Sequence, residues 1–312
     1  MCIRDRVEAG VSTDSSEVNP LGIGAAAVAV SSWGLATVIV KGIDMGSLAI
    51  GTYRFTIYGF VLVAIFAIRG NPLTFRVMRE SMWGGIALGA DIALFFSAVK
   101  LTSIANATVI GSLQPVVIAL VSAPLFGERI SPRSIGLGAV ALGGAVTVVL
   151  SGTDDAGSAL SGDLLAGGAL ISWAAYFIFS RQAKQRITPQ EYTAGTSIWT
   201  AAINLPLAIA FGQDLSWPDT NSWIWLLILT FGSGVLGHSM MNWSIQQIPL
   251  WITSTFTLLI PVVAAIAAWI WLDEPLTALQ VIAMGVVLAA LAGIVTAQDG
   301  AKTRPRLRVR RR

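Results

Sequence analysis

The sequence predicts an all-α membrane protein with ten transmembrane helices, arranged as two inverted five-helix repeats. Three observations support this fold class: the composition, the number of long apolar runs, and a repeat that relates the two halves. Of the 312 residues, 54% are hydrophobic and only 12% are charged, whereas a soluble domain carries about 25% charged residues. The mean hydropathy is +0.72. This composition excludes an ordinary soluble domain and indicates a chain that lies mainly in lipid.

Ten apolar runs follow a polar N-terminal segment, and each has close to the ~20 residues that cross hydrocarbon as a helix. Helices are required because an open strand edge in lipid would leave backbone N–H and C=O groups unpaired. The predicted spans are 21–40, 47–68, 81–99, 104–124, 133–150, 162–180, 192–211, 222–242, 251–272 and 277–296. Residues 1–20 lack the apolar core of a signal peptide, and we expect them to form a disordered tail.

A repeat relates the two halves of the chain. Residues 100–150 and 247–296 each contain an apolar helix with a central proline, an acidic turn, and a second apolar helix rich in Gly and Ala. Pro115 and Pro261 are 146 residues apart, and so are Glu128 and Glu274. This pattern predicts a first repeat at 21–150, a linker at 151–161, a second repeat at 162–296 and a basic tail at 297–312.

Lysine and arginine in the loops predict the orientation, because short cytoplasmic loops carry an excess of these residues. With the N-terminus inside, the outside loops hold only Lys41 and Lys100. The inside loops hold eight basic residues: Arg69, Arg76, Arg79, Arg129, Arg133, Arg181, Lys184 and Arg186. Five helices are an odd number, so the second repeat is inverted relative to the first and both termini are expected to be cytoplasmic. Attraction to anionic lipid accounts for the basic tail, and no nucleic-acid partner is expected.

Inverted repeats of this kind are typical of secondary transporters. Residues 100–150, with LTSIANAT, LQPVVIAL and the turn 127–129, resemble an EamA-type unit of the drug/metabolite transporter superfamily. Residues 243–296 resemble the second unit, although Asp273-Glu274-Pro275 replaces the usual Gly-Glu-Arg turn. Ser32-Trp33-Gly34 and Tyr53-Arg54-Phe55 fit the same family. The resemblance implies a transporter in a bacterial inner (plasma) membrane that exports a small organic metabolite, such as an amino acid or a drug-like amine.

The resemblance also implies alternating access around a site near the membrane midplane. No ATP and no cofactor are expected, since the chain has no Gly-rich phosphate loop. The expected partners are a small-molecule substrate, the lipid bilayer and a proton as coupling ion, in a monomer or homodimer. A flippase for a lipid-linked substrate and a non-transporting receptor use the same bundle and remain alternatives. An intramembrane serine protease is not expected, because Ser233 and His238 lie about 140° apart on one helix.

Apart from tyrosines, only Arg54, Asp91 and His238 are ionisable away from the ends of the predicted spans. Burying Arg or Asp at a helix centre costs about 2.5–3.5 kcal/mol on insertion scales, so such residues face the bundle or a wet cavity. Asp91 and His238 are 147 residues apart, as are Ser97 and Ser244, so the pair occupies matching points of the two repeats. Either the pair lines a central cavity and exchanges a proton or a cationic substrate group, or each member hydrogen-bonds a neighbouring helix.

Arg54 and the two turn glutamates also have two interpretations. Arg54 lies about seven residues from the outer end of its helix, where its side chain can reach the headgroups. Alternatively, it holds a substrate carboxylate, but the resemblance implies an arginine here in relatives with unrelated cargo, which favours a structural role. Glu128 and Glu274 lie in turns between helices, and helix capping is favoured over transport chemistry for both.

Aromatic and amide side chains supply further candidate cavity residues. Trp33 and Trp173 lie in the first helix of each half in similar contexts, and Tyr176 follows the second. Their faces suit a ring or a cation, or they pack between helices. Gln114 precedes a central proline, and Asn242 lies one turn after the histidine, so these two amides are further candidates for the cavity.

Pro115 and Pro261 are the candidate gating residues. A proline in the middle of a helix removes an i→i−4 hydrogen bond and permits a kink. Such a kink serves either a rocking gate or the static packing of the bundle.

The orientation can be tested by thiol labelling at the linker between the repeats. We expect a cysteine at position 158 (Ser158→Cys, in a Cys2→Ser background) to react with a membrane-impermeant maleimide added to intact cells, because the positive loops lie on the opposite side. Labelling only after the membrane is permeabilised would reverse the predicted orientation.

Overall fold

The computed structural model describes residues 19–101, 104–128, 130–151, 160–271 and 275–300. Within these ranges every regular element is a helix and there is no strand, which confirms the all-α prediction. Glu274, the tails at 1–18 and 301–312, and most of the predicted linker lie outside the described residues.

Thirteen α-helices are formed in the described ranges, together with one π-helical and one 3₁₀ segment. The first half contains α1 (Pro20–Gly42), α2 (Ser47–Ile68), α3 (Phe75–Leu101), α4 (Ile104–Gly111), α5 (Gln114–Phe126) and α6 (Pro132–Leu150). The second half contains α7 (Leu160–Ala183), α8 (Pro189–Ala210), α9 (Thr220–Leu229), the π-helix Thr230–His238, α10 (Ser239–Gln247), α11 (Leu250–Thr255), the 3₁₀ segment Phe256–Leu258, α12 (Leu259–Trp271) and α13 (Ala278–Gly300).

Nine helical segments of the described chain are long and apolar enough to cross a membrane, and they coincide with nine of the ten predicted spans. The remaining prediction, 192–211, does form a helix, α8. Its hydropathy is lower because it carries several buried polar side chains: Thr193, Thr196, Ser197, Thr200 and Asn204. The all-helical membrane architecture is therefore established, whereas the count of ten spans is not.

The two candidate gating prolines lie at helix interruptions and not in helix interiors. The predicted span 104–124 is divided into α4 and α5, with Pro115 in the first turn of α5. The span 251–272 contains a 3₁₀ segment directly before α12, and Pro261 is the third residue of α12. Proline is tolerated in a first turn because the N–H that it lacks would have no helical partner there. Both prolines thus lie near the middle of their spans, as expected, and each lies directly after an interruption of the α-helix.

A π-helical segment interrupts the span predicted at 222–242 and ends at His238. The indole Nε1 of Trp33 donates a hydrogen bond to the Ser233 carbonyl within this segment, over 3.2 Å. Segments of this kind are rare and occur frequently at functional sites. The wider turn also places the histidine differently from an α-helical continuation of α9.

The two halves pack against each other through most of their helices. Helix α3 packs on α7 and α8, α2 on α8, and α6 on α13. Helix α1 packs on the π-helix, α10 and α12, and α7 packs on α4 and α5. Closely packed glycines permit some of these contacts: a Cβ added at Gly85 in α3 would lie 2.3 Å from Cβ of Trp199 in α8.

We expect Gly85→Ala to destabilise the protein by about 1–3 kcal/mol, the usual cost of overpacking a close contact. Trp199 cannot easily retreat, because its Nε1 donates a 2.9 Å hydrogen bond to the Met78 carbonyl. The measurement is the melting temperature of purified protein in detergent. Gly136→Ala is the matched control, because a Cβ there meets no atom within 4 Å and alanine stabilises a helix interior by up to ~1 kcal/mol. Equal melting temperatures for the two variants would contradict the close packing of α3 on α8.

Candidate functional site

A cavity lies between α1, α3, α4, α7 and the start of α12. Its volume is about 110 Å³. Most of its wall is apolar, and its polar groups come from a small number of side chains. A mainly apolar cleft with few polar groups is typical of a site for a small organic molecule.

The cavity occupies one half of the bundle. Its wall residues on α1 are 33–40 and those on α3 are 91–99, near the ends of both helices, whereas those on α7 are 166–173, near its start. We call the end of the bundle where α1 and α3 finish and α7 begins the cavity end, and the other the opposite end. The predicted orientation places the cavity end outside.

The three ionisable residues singled out in the sequence all line this one cavity: Arg54, Asp91 and His238. Arg54 is 2% exposed, and its Nε has no hydrogen-bond partner among the described residues. Its guanidinium carbon lies 5.0 Å from the ring centroid of Phe55. No hydrogen bond or ion pair within the described chain joins Arg54 to Asp91. The fold therefore brings an acid and two bases to one cavity without pairing them directly.

Aromatic rings surround His238. Its ring centroid lies 5.2 Å from that of Trp33, 5.7 Å from Phe55, 6.0 Å from Tyr176 and 6.4 Å from Tyr58. Both imidazole nitrogens are buried, and neither has a hydrogen-bond partner among the described residues. Most buried polar atoms in proteins are hydrogen-bonded, so two such atoms on one ring call for an explanation.

The paired tryptophans from the two halves meet at the cavity wall. The rings of Trp33 and Trp173 are 5.9 Å apart in an edge-to-face arrangement, and both line the cavity. Each ring therefore takes part both in packing between helices and in the cavity wall, so the two interpretations offered by the sequence are compatible for these residues.

Tyr176 and Asn242 lie in the helix bundle and not on the cavity wall. The Asn242 amide nitrogen donates to the Tyr176 hydroxyl over 2.7 Å and to the Thr193 hydroxyl over 2.9 Å. Its oxygen accepts a 2.9 Å hydrogen bond from the Ser180 hydroxyl. These contacts use the hydrogen-bonding groups of the amide to join α10 with α7 and α8. Substrate contact by either residue stays a prediction.

Gln114 also lies behind the wall. Its oxygen accepts a 3.3 Å hydrogen bond from the hydroxyl of Thr257, which does line the cavity, while its buried amide nitrogen has no partner among the described residues. The two gating candidates differ in position, because Pro261 lines the cavity and Pro115 does not.

Several cavity residues were not predicted from the sequence. Phe95 lies one turn after Asp91 on α3 and lines the same cavity, as does the neighbouring Phe96. Thr108 and Ser112 also line it, and the Thr108 hydroxyl is buried without a hydrogen-bond partner in the described chain. Phe95 lies four residues after Asp91, and Ser112 lies four residues after Thr108. Helical periodicity therefore could have indicated that each pair shares one face of its helix.

The sequence model of the EamA-like transporter family matches residues 20–150 and 160–296 of the chain. Several similar curated proteins are named as exporters or efflux pumps. The aromatic amino acid exporter YddG of Ancylobacter novellus is 32% identical over 200 residues, which is 61% of this chain and 67% of that protein. A probable amino-acid metabolite efflux pump of Salmonella typhimurium is 26% identical over 279 residues, 85% of this chain and 92% of that protein.

The threonine/homoserine exporter RhtA of Escherichia coli K12 is 26% identical over 259 residues, covering 80% of this chain and 82% of that protein. A solved crystal structure aligns with a TM-score of 0.74 at 23% identity, over 89% of this chain and 97% of the other, and shows the shared fold. Because the family model matches both halves, the protein belongs to the EamA-like transporter family of the drug/metabolite transporter superfamily.

Proposed function

We propose that the protein is a secondary active exporter of a small amino-acid-like metabolite, which it binds in the cavity at Arg54, Asp91 and His238. The observation that carries this proposal is the placement of an acid and two bases on one otherwise apolar cavity. Three of their nitrogen atoms have no hydrogen-bond partner among the described residues. The names of the relatives, which refer to amino acids or their metabolites, support the same class of substrate.

The carboxylate of the substrate is assigned to Arg54, with His238 close by. A buried polar group without a partner costs about 1–3 kcal/mol, and a ligand atom that bonds to it recovers this cost. The guanidinium group presents several donors in a plane that matches a carboxylate. Arg54 therefore has the chemistry and the free donor that a carboxylate subsite requires.

The ammonium group of the substrate is assigned to Asp91, the one acid among the described residues of the cavity wall. The remaining wall is apolar and includes Phe95, Phe96, Leu170 and Ile260. This surface favours a side chain without charge, since burying an unpaired charge is costly. An apolar or aromatic amino acid fits this wall better than threonine or homoserine.

Alternating access needs two arrangements of the bundle, and the repeat supports such a mechanism. In the repeat, α1 corresponds to α7, and α3 corresponds to the span that contains α10. The contact of α3 with α7 therefore has its counterpart in the contact of α10 with α1. In the same way, the contact of α1 with α12 corresponds to the contacts of α7 with α4 and α5. This pattern supports ten spans in two inverted repeats, with α8 as the span of low hydropathy and both termini in the cytoplasm. The interruptions at Pro115 and Pro261 are the proposed flexible points.

Replacing Arg54 should weaken binding of the free amino acid specifically. Loss of a charge-assisted hydrogen bond costs about 1.5–3 kcal/mol, so Arg54→Gln should raise the Kd for phenylalanine by about 10- to 150-fold. Phenylalanine amide should bind both proteins equally weakly. The measurements are the thermal shift of purified protein and counterflow of labelled phenylalanine in proteoliposomes.

Arg69→Gln is the matched control for this experiment, because Arg69 lies at the exposed end of the same helix and away from the cavity. If amino acids, amines, sugars and nucleotides all fail to stabilise or exchange with the native protein, the proposed function is wrong.

Proton coupling is assigned to Asp91, with His238 as the secondary member. We expect export by the native protein to respond to an imposed pH gradient. In Asp91→Asn, measured at saturating substrate, exchange should persist while the response to the gradient disappears, because asparagine retains hydrogen bonds but does not titrate in this range. His238→Gln should shift the pH profile without abolishing transport. Asp44→Asn, at an exposed bend, is the control. An unchanged gradient response in Asp91→Asn would assign Asp91 to substrate binding or packing alone.

A further inference from the structure

A second ionic cluster lies at the opposite end of the bundle, away from the cavity. The Glu128 carboxylate accepts hydrogen bonds from the backbone N–H of Leu250 over 2.7 Å and of Trp251 over 3.2 Å. The same carboxylate lies 3.4 Å from the Arg181 guanidinium. Arg181 also donates to the backbone carbonyls of Ile245 and Ile248. We call these contacts of Glu128 and Arg181 the clasp.

The clasp is largely shielded from water. The Glu128 side chain is 7% exposed and that of Arg181 is 15% exposed. Helix α11 begins after Pro249 and has no capping hydrogen bond from that residue, so Glu128 supplies the acceptor that its first N–H groups need. The sequence favoured capping for Glu128, and the structure shows such a cap. However, Glu128 caps a helix that begins 122 residues later in the chain.

The clasp joins the far ends of helices that line the cavity. Arg181 lies eight residues beyond Trp173 on α7, about 12 Å along the helix axis. Helix α11 starts seven residues before Thr257, about 10 Å from the cavity wall. Glu128 lies two residues after the end of α5, and the start of α5 follows the interruption at Ser112. The clasp thus holds the helix pairs α4–α5 and α11–α12 and helix α7 together at the opposite end of the bundle.

We propose that the clasp is a gate that keeps the opposite end of the bundle closed. While the clasp is intact, the substrate reaches the cavity from the cavity end. Opening the opposite end separates α5 from α11, which requires Glu128 to leave the N–H groups of Leu250 and Trp251. This inference rests on the proposed transport function and adds a charged gate to it. A cap supplied by the same helix would not couple to such a movement, because it would travel with its own helix.

Lys184 influences the choice of variant. It lies three residues after Arg181. Burial lowers the pKa of the Lys184 ammonium group, and the positive charge of Arg181 lowers it further. The negative charge of Glu128 raises this pKa in part. Lys184 is thus near enough to Glu128 to replace part of the charge lost in Arg181→Gln. Glu128→Gln is therefore the primary variant, and Arg181→Gln is the second.

The test uses two cysteine reporters in a Cys2→Ser background of the full chain in detergent. Ser254→Cys reports on the opposite end, because Ser254 is fully buried one turn after the start of α11. Thr37→Cys reports on the cavity end, because Thr37 lines the cavity. In Glu128→Gln, a water-soluble maleimide should label Ser254→Cys about 5- to 30-fold faster, as expected for a shift of one or two kcal/mol. Labelling of Thr37→Cys should become slower.

The control is Glu80→Gln. Glu80 forms a 2.9 Å ion pair with Arg186 that joins α3 to the segment after α7, but it does not contact α11. This variant should leave both labelling rates unchanged. The effects of Glu128→Gln and Arg181→Gln should be less than additive in the double variant, since both break the ion pair between these two side chains.

Three outcomes would overturn the gate. The first is an unchanged labelling rate of Ser254→Cys in both single variants. The second is faster labelling at both reporters, which indicates general loosening of the bundle. The third is an equal change of the labelling rates in Glu80→Gln. Labelling requires no transported substrate, so failure of the gate is distinguishable from failure of the proposed amino-acid export. That function is tested separately by thermal shift and counterflow.

Discussion

A polar group surrounded by lipid must find its partner inside the protein, and this requirement organises the molecule. Backbone groups meet it by forming helices throughout the described chain. Buried side chains meet it across helix interfaces, as Asn242 does with Tyr176, Thr193 and Ser180. A residue that leaves the requirement unmet is therefore informative. The Nε of Arg54 and both ring nitrogens of His238 are buried without a hydrogen-bond partner in the described chain, and both residues lie on the cavity.

Asn242 and His238 differ in how their polar atoms are satisfied. The two residues lie one turn apart along the same span, and both are buried. The amide is bonded to two neighbouring helices, whereas the imidazole is surrounded by aromatic rings and has no hydrogen bond within the described chain. A π-helical segment ends at His238, so the histidine is set by a wider turn than α-helical geometry gives. At these two positions, the presence or absence of hydrogen bonds separates the packing residue from the candidate ligand.

The cavity and the clasp lie on the same helices. Helices α4–α5 and α11–α12 carry an interruption near the cavity, and each has an end at the clasp. A rigid helix transmits movement along its axis, whereas an interruption lets its two parts reorient separately. The proposed ligand site and the proposed gate therefore lie on the same two helical spans, whose interruptions have matching positions in the two halves of the chain.

The sequence alone predicted the helical class and nine helices that the structure shows to be long and apolar enough to cross a membrane. The repeat, and the matching positions of Asp91 and His238 within it, are also read from the sequence and stay predictions. These features depend on local hydrophobicity and on spacing within the chain. The tertiary structure decided which polar residues reach the cavity: it placed Arg54 on the wall, set Asn242 and Gln114 behind it, and joined Glu128 to a helix start 122 residues away. In lipid both faces of a helix are apolar, so the side that faces a cavity depends on partners from distant parts of the chain. Hydropathy does not contain that information.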